Sequence, residues 1–154
     1  MRVPGRVRIA WADDSTLRVE TDAGMQTRLF RFGRPPAPAG PPTWQGHSVA
    51  QWQPARGLGR EIRAESAPAR TGTLKVVTRR LRPGYLRKNG VPYSGETVVT
   101  EYFTPFTDAR GTAYFNVTVV VEDPLYLTGP YIRSMQFRKE TDGARWNPEP
   151  CSAR

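Results

Sequence analysis

Short segments that alternate apolar and polar side chains recur along most of this chain, and this pattern constrains the fold more than any other feature. Near the N-terminus, Val7–Trp11, Leu17–Thr21 and Arg28–Phe32 alternate, and short polar turns separate them. A side-chain period of two is typical of a strand with one buried face, and short polar turns join antiparallel neighbours. The N-terminal part therefore predicts a three-stranded meander.

Strand-like segments continue towards the C-terminus, and no segment carries a sustained helical repeat. They are Trp44–Trp52, Leu74–Thr78, Thr97–Phe103, Tyr114–Val121 and Ile132–Lys139. About eight strands with short connections are typical of an up-and-down barrel or a strongly curved meander sheet, lipocalin-like in architecture. We therefore predict an all-β fold.

Two loops interrupt the strand pattern without dividing the chain. Gly33–Pro42 contains five prolines in ten residues, and 54–72 is rich in Arg, Gly, Ala and Ser. Proline cannot donate to a strand ladder, so the first segment predicts a loop or a covering strap. The length of 154 residues fits one domain with its own core, which we assign to 1–154.

The histidine and cysteine content argues against metal and thiol chemistry. His47 is the only histidine, and Cys151, near the C-terminus, is the only cysteine. A zinc or copper site built from His and Cys needs several such ligands, and a catalytic thiol needs a neighbouring base. We predict neither a metal nor a cofactor.

The chain has a net charge of +9, because it contains 23 Lys and Arg residues and only 14 Asp and Glu residues. This excess of positive charge favours an anionic partner. The basic residues are scattered, and the densest stretch is 79–88. Aromatic residues follow within 82–93, a mixture that suits nucleic-acid binding, a lid over an anionic or carbohydrate-like ligand, or an ordinary ordered loop. Nucleic-acid binding through 79–88 is the least favoured of our functional hypotheses.

No apolar run approaches the ~18 residues of a membrane span, and Val117–Val121 is the longest. Met1–Gly5 leads almost directly into a strand-like segment without an apolar signal sequence. As written, the sequence predicts a cytoplasmic chain with no membrane span.

The Trp44–Trp52 segment is the most informative about function. On a strand, two large rings would bracket three small side chains on one face: Trp44, Gly46, Ser48, Ala50 and Trp52. This arrangement leaves room for a small apolar or anionic organic ligand beside aromatic walls. Alternatively, the small residues accommodate a bulky neighbour or a bend. The candidate ligand-binding residues are Trp44, Ser48, Trp52, Thr78, Tyr85, Tyr93, Phe103, Tyr126 and Tyr131.

Glu101 is the best candidate for acid or base catalysis, because it shares a strand face with Val99 and Phe103. It would serve a cofactor-independent hydrolase, isomerase or cyclase, provided that its carboxylate points inward and is unpaired. A structural glutamate paired with arginine is the alternative. His47 is a weaker catalytic candidate, because it lies on the opposite face of its strand beside Gln45 and Gln51.

Several motifs resemble a family of uncharacterised bacterial proteins that often look exported. The similarity covers roughly residues 7–150 and is carried by Thr43–Trp52, Leu74–Thr78, Pro83–Ser94, Thr100–Phe103 and Glu122–Thr128. The resemblance implies export to the periplasm or beyond if the N-terminus is truncated, and it implies no particular activity. The leading hypothesis is thus a small-molecule-binding β-barrel with an aromatic-lined cavity.

Overall fold

The computed structural model describes residues 5–53, 72–87 and 90–151. Nearly all of the predicted loop 54–72, together with Lys88 and Asn89, lies outside these ranges. The described residues form β1 (Val7–Asp13), β2 (Thr16–Thr21), β3 (Gln26–Phe32), β4 (His47–Gln53), β5 (Thr73–Arg79), β6 (Gly84–Tyr85), β7 (Pro92–Tyr93), β8 (Val98–Thr107), β9 (Ala113–Glu122) and β10 (Tyr131–Arg138). Among them no helix is long and apolar enough to cross a membrane.

Eight strands form one strongly curled sheet, a half-barrel, in the order β1-β2-β3-β4-β5-β8-β9-β10. The predicted all-β, barrel-like fold is confirmed. One connection differs from an up-and-down order, because β3 and β4 are parallel, with Phe30 opposite Ser48. Parallel neighbours need a connection that returns the chain to the starting end of the sheet, and the Pro-rich segment 33–46 supplies it.

The core lies on the concave face of the sheet. Two adjoining groups of side chains form it, and Phe103 contacts both groups. The buried members are Leu17, Val19, Phe30, Ala50, Leu74 and Val76 in the first group, and Val117, Val119 and Val121 in the second. The buried residues of β5 and β9 alternate with more exposed ones, which is the period that predicted these strands. Burial of each Val, Leu or Phe contributes roughly 1.5–3 kcal/mol.

The short β6–β7 hairpin stands apart from the main sheet, and Asp123 anchors the segment that follows it. The Oδ2 atom of Asp123 accepts hydrogen bonds from the Ser94 amide, at 2.6 Å, and from the Thr97 hydroxyl. Its Oδ1 atom accepts from the amides of Leu125 and Tyr126, each at 2.9 Å. Burial opposes ionisation, but the bonds from Thr97 and Ser94 outweigh it and hold the pKa of Asp123 well below its usual range.

The segment after β10 returns to the first strands. Glu149 forms a parallel bridge with Ala23, and its carbonyl accepts a hydrogen bond of 2.7 Å from the Gly24 amide. The guanidinium of Arg8 lies 4.4 Å from the ring centre of Trp146. The C-terminal segment is therefore tied to the β2–β3 turn, although β10 and β1 are opposite edges of the sheet.

Candidate ligand-binding cavity

A cavity of about 280 Å³ lies on the concave face, between the curled sheet and the β6–β7 hairpin. Its apolar wall consists of Leu81, Leu86, Val99, Val119, Val121 and Met135. Aromatic side chains also line it, namely Trp44, Tyr85, Tyr93 and Tyr131. The polar lining residues are Gln26, Arg28, Gln45, Thr78, Thr97 and Arg133.

Strand alternation explains the wall that β9 and β10 provide. Val121 and Val119 are buried on the concave face, and their partners on β10 are Tyr131 and Arg133. Met135 follows on the same face, because side chains two apart in a strand point the same way. One strand thus places a phenol, a guanidinium and a thioether along one side of the cavity.

The hairpin wall depends on a close approach at Gly84. A Cβ atom at this position would lie 2.9 Å from the hydroxyl of Tyr93, its partner in the hairpin. Only glycine therefore leaves Tyr93 in its position in the cavity wall. Burial raises the pKa of Tyr93, so this phenol is a neutral hydrogen-bonding group at physiological pH.

A buried polar network lies beside the cavity. Arg28 donates from Nη1 to Glu101 Oε1 at 2.9 Å and from Nη2 to Glu101 Oε2 at 2.5 Å. Its Nη2 atom also donates to the Thr78 hydroxyl at 3.1 Å, and Thr78 shares a 2.8 Å hydrogen bond with Ser48. Both charged residues are buried, so each depends on the other for compensation.

This pairing bears directly on the catalytic hypothesis for Glu101. The carboxylate points inward, as the hypothesis requires, but both of its oxygens accept from Arg28. An acid or base that exchanges protons with a ligand needs an accessible oxygen. The condition of an unpaired carboxylate is not met, and the arrangement corresponds to the structural alternative.

Two arginine side chains, Arg87 and Arg133, lie close to the Tyr131 phenol. The Arg87 Nε atom donates to the Tyr131 hydroxyl at 3.3 Å, and the guanidinium lies 5.2 Å from the ring centre. This hydrogen bond, together with the positive charges of Arg87 and Arg133, lowers the pKa of the Tyr131 phenol. The guanidinium of Arg82 lies 4.8 Å from the centre of a ring of Trp44, which also lines the cavity. The aromatic part of the lining is therefore electropositive.

Five of the predicted ligand-binding residues line the cavity: Trp44, Thr78, Tyr85, Tyr93 and Tyr131. Four others are not among the lining residues: Ser48, Trp52, Phe103 and Tyr126. Ser48 is buried against Thr78, and Phe103 packs on Phe30 with ring centres 5.5 Å apart. Trp52 stacks on Phe32, and Tyr126 is exposed in the turn after β9.

The small-residue face of the Trp44–Trp52 segment fits the second of its two interpretations, in which small residues accommodate bulky neighbours. Ala50 is 2% exposed within the first core group, so this face is packed rather than open. The segment is not extended throughout, because Gly46 has a φ of +63° and β4 begins only at His47. The small residues accommodate bulky neighbours, and the cavity lies further along the concave face.

His47 lies on the face of β4 opposite to Ser48, as predicted, and is not a lining residue. Burial and the charges of Arg31 and Arg80 lower its pKa. Among the residues that the structure describes, no three His, Cys, Asp or Glu side chains gather as metal ligands would. His47 therefore has no described connection to the cavity.

The basic segment 79–88 makes contacts within the chain. Arg80 donates to the carbonyl of Gly40, and Arg82 and Arg87 lie over Trp44 and Tyr131. Lys88 is outside the described residues. The nucleic-acid hypothesis stays a prediction, and these contacts give two of the arginines a place beside the cavity.

Comparison with protein-family models, curated proteins and solved structures finds no match for this chain. The resemblance to exported bacterial proteins stays a prediction.

Proposed function

We propose that this protein binds a small organic molecule in the cavity between the curled sheet and the β6–β7 hairpin. The observation that carries the proposal is a partly open cavity with an apolar wall and with exposed aromatic residues in its lining. Its volume of about 280 Å³ lies just below the usual range for ligand pockets, roughly 300–1,000 Å³. This size favours a compact ligand.

The exposure of the lining supports an entrance on the aromatic side. Val119 and Val121 are buried, whereas Trp44 and Tyr85 are 57% and 71% exposed. Flat aromatic surfaces at an opening offer stacking contacts to an entering ring. The ligand that fits this arrangement has an apolar body that reaches the valines and remains in contact with the aromatic residues.

Binding of 2-naphthamide tests the proposal, because this neutral probe has a compact two-ring body. We expect saturable binding in ligand-observed NMR. Met135→Trp should weaken it by at least about tenfold, since the larger side chain occupies the cavity. Ile132→Trp is the matched control, because Ile132 lies on the same strand, faces away from the concave side and is exposed.

Thermal unfolding would verify that both variants are folded. If the wild type shows no saturable binding, the proposal is wrong. Equal binding by the wild type and Met135→Trp would place the probe elsewhere and would also contradict it.

A further inference from the structure

We propose that the ligand is a compact carbonyl compound whose oxygen accepts a hydrogen bond from the hydroxyl of Tyr93. This inference rests on the proposed function and adds the chemical class of the ligand and the side chain that recognises it. Tyr93 is on β7, in the hairpin that forms one side of the cavity, and it is one of the lining residues. The hydrogen bond would therefore form on the hairpin side of the cavity.

The backbone of Gly84 sets the position of the Tyr93 hydroxyl. A Cβ atom at residue 84 would lie 2.9 Å from the hydroxyl oxygen and 3.1 Å from two carbon atoms of the ring. The outer end of the phenol thus lies where a side chain on the partner strand would otherwise be. Packing against the backbone of β6 restricts where this hydroxyl can lie, as a recognition group requires.

The Tyr93 hydroxyl has no hydrogen-bond partner among the residues that the structure describes. Burial alone accounts for the raised pKa of this phenol, without a contribution from a neighbouring charge or hydrogen bond. The group is therefore protonated at physiological pH, and its proton is available for a ligand. A half-buried hydroxyl without a partner loses part of its hydration, and an acceptor on the ligand restores the missing hydrogen bond.

The two threonine hydroxyls of the lining are already engaged within the chain. The Thr97 hydroxyl donates to the carboxylate of Asp123. The Thr78 hydroxyl accepts from Arg28 at 3.1 Å and shares a 2.8 Å hydrogen bond with Ser48. Both threonines are buried, so these contacts satisfy them without a ligand.

The other two tyrosines of the lining are less suited to this role. The Tyr131 hydroxyl accepts from Arg87 at 3.3 Å, and nearby arginine charges lower its pKa. Tyr85 is 71% exposed, so water competes for its hydroxyl. Within the described lining, Tyr93 thus combines burial of the ring with the absence of a partner for its hydroxyl.

The remaining lining indicates how the ligand is oriented. None of the described lining residues is acidic, so an acceptor on the ligand meets donors and no carboxylate. Val119 and Val121 are buried in the part of the wall that belongs to the sheet. The favoured ligand has an apolar body against these valines and a carbonyl oxygen directed at the hairpin.

The test compares 2-acetylnaphthalene with 2-isopropenylnaphthalene, in which a methylene group replaces the carbonyl oxygen and the shape is retained. Dissociation constants are measured by ligand-observed NMR for the wild type and for Tyr93→Phe. The substitution should weaken binding of the ketone by roughly threefold to tenfold, the usual contribution of one neutral hydrogen bond, and leave binding of the alkene nearly unchanged. The ratio of the two affinities therefore reports the hydrogen bond separately from the packing of the ring.

Tyr114→Phe is the matched control, because it removes the same hydroxyl from the other face of the sheet. Tyr114 stacks on Phe106, with ring centres 5.3 Å apart, and is not a lining residue. This variant should keep the wild-type affinity for both probes, and thermal unfolding verifies that both variants are folded. An equal loss of ketone binding in Tyr114→Phe and Tyr93→Phe would overturn the inference.

The outcomes separate the two proposals. If both probes bind, Met135→Trp blocks them and Tyr93→Phe leaves the ratio of affinities unchanged, the carbonyl inference is wrong and the proposed function stands. If neither probe nor 2-naphthamide binds to the wild type, both proposals are wrong.

Discussion

Arg28 and Glu101 form a two-point ion pair across the concave face, with Nη1–Oε1 and Nη2–Oε2 distances of 2.9 and 2.5 Å. Arg28 is on β3 and Glu101 is on β8, and strands β4 and β5 lie between these two in the sheet. The pair therefore depends on the curl that brings β3 towards β8. It stabilises that curl only while both charges are present, because either one alone would be buried without compensation.

Glu101→Gln should destabilise the protein by about 3–5 kcal/mol, the typical cost of breaking a buried ion pair from one side. Urea unfolding at pH 7 measures the change. The double variant Arg28→Met with Glu101→Leu should recover most of the loss, because no buried charge remains. A Glu101→Gln variant as stable as the wild type would contradict the structural role assigned to this pair.

Asp123 should make the free energy of unfolding depend on pH in the acidic range. Its pKa in the folded state is depressed, so the ionised form contributes stability above the unfolded value of about 3.9, and this contribution is lost as the pH falls through the folded value. Asp123→Asn should lower stability at pH 7 by about 1–3 kcal/mol. It should also flatten the decline of the urea midpoint between pH 5 and pH 2. An unchanged acid slope would contradict this role.

His47 should titrate below its ordinary value of about 6.5, because burial and the charges of Arg31 and Arg80 oppose its protonation. Because the pKa of His47 is depressed in the folded protein, the contribution of its neutral imidazole to stability is present above about pH 6.5. This contribution declines as the pH falls through the pKa of the folded state. Proton NMR measures the midpoint directly, since the chain has a single histidine. Arg80→Gln should raise that midpoint, and a midpoint at or above the ordinary value would contradict the prediction.

Gly46→Ala should perturb the approach to β4. Its φ of +63° disfavours a side chain, and a Cβ atom would lie 2.6 Å from the Arg79 carbonyl oxygen. Gly111→Ala is the control, because Gly111 has a φ of +82° but open space around a Cβ. Gly46→Ala should cost about 1–3 kcal/mol more than Gly111→Ala in urea unfolding, owing to the steric contact. Equal losses would show that only backbone conformation matters at Gly46.

The strand pattern was predictable because alternation is a local property of the sequence. β1, β2 and β3, and later β8, β9 and β10, lie close to the segments that alternate. The parallel pairing of β3 with β4 was not predictable, because alternation identifies a buried face and says nothing about which strand lies beside it. The direction of β4 depends on the connection 33–46 and on the left-handed backbone of Gly46.

The candidate site was predictable in its aromatic part and missed in its charged part. Tyr85, Tyr93 and Tyr131 were identified by residue type. Arg133 was missed, although alternation places it on the face of Tyr131, because an arginine on an edge strand usually faces solvent. The partner of Glu101 is 73 residues away, and no local pattern could identify it.

The bridge between Ala23 and Glu149 has a consequence for the order in which this protein folds. The N-terminal meander leaves the ribosome long before the residues that it contacts. Phe30 packs against Phe103, and Ala23 in the β2–β3 turn pairs with Glu149. At roughly 5–20 residues per second, synthesis separates the two phenylalanines by about 4–15 s. Contacts this distant in sequence also form slowly. The N-terminal strands therefore complete their packing only after Phe103 has been synthesised, and until then the nascent chain leaves part of the Phe30 ring uncovered.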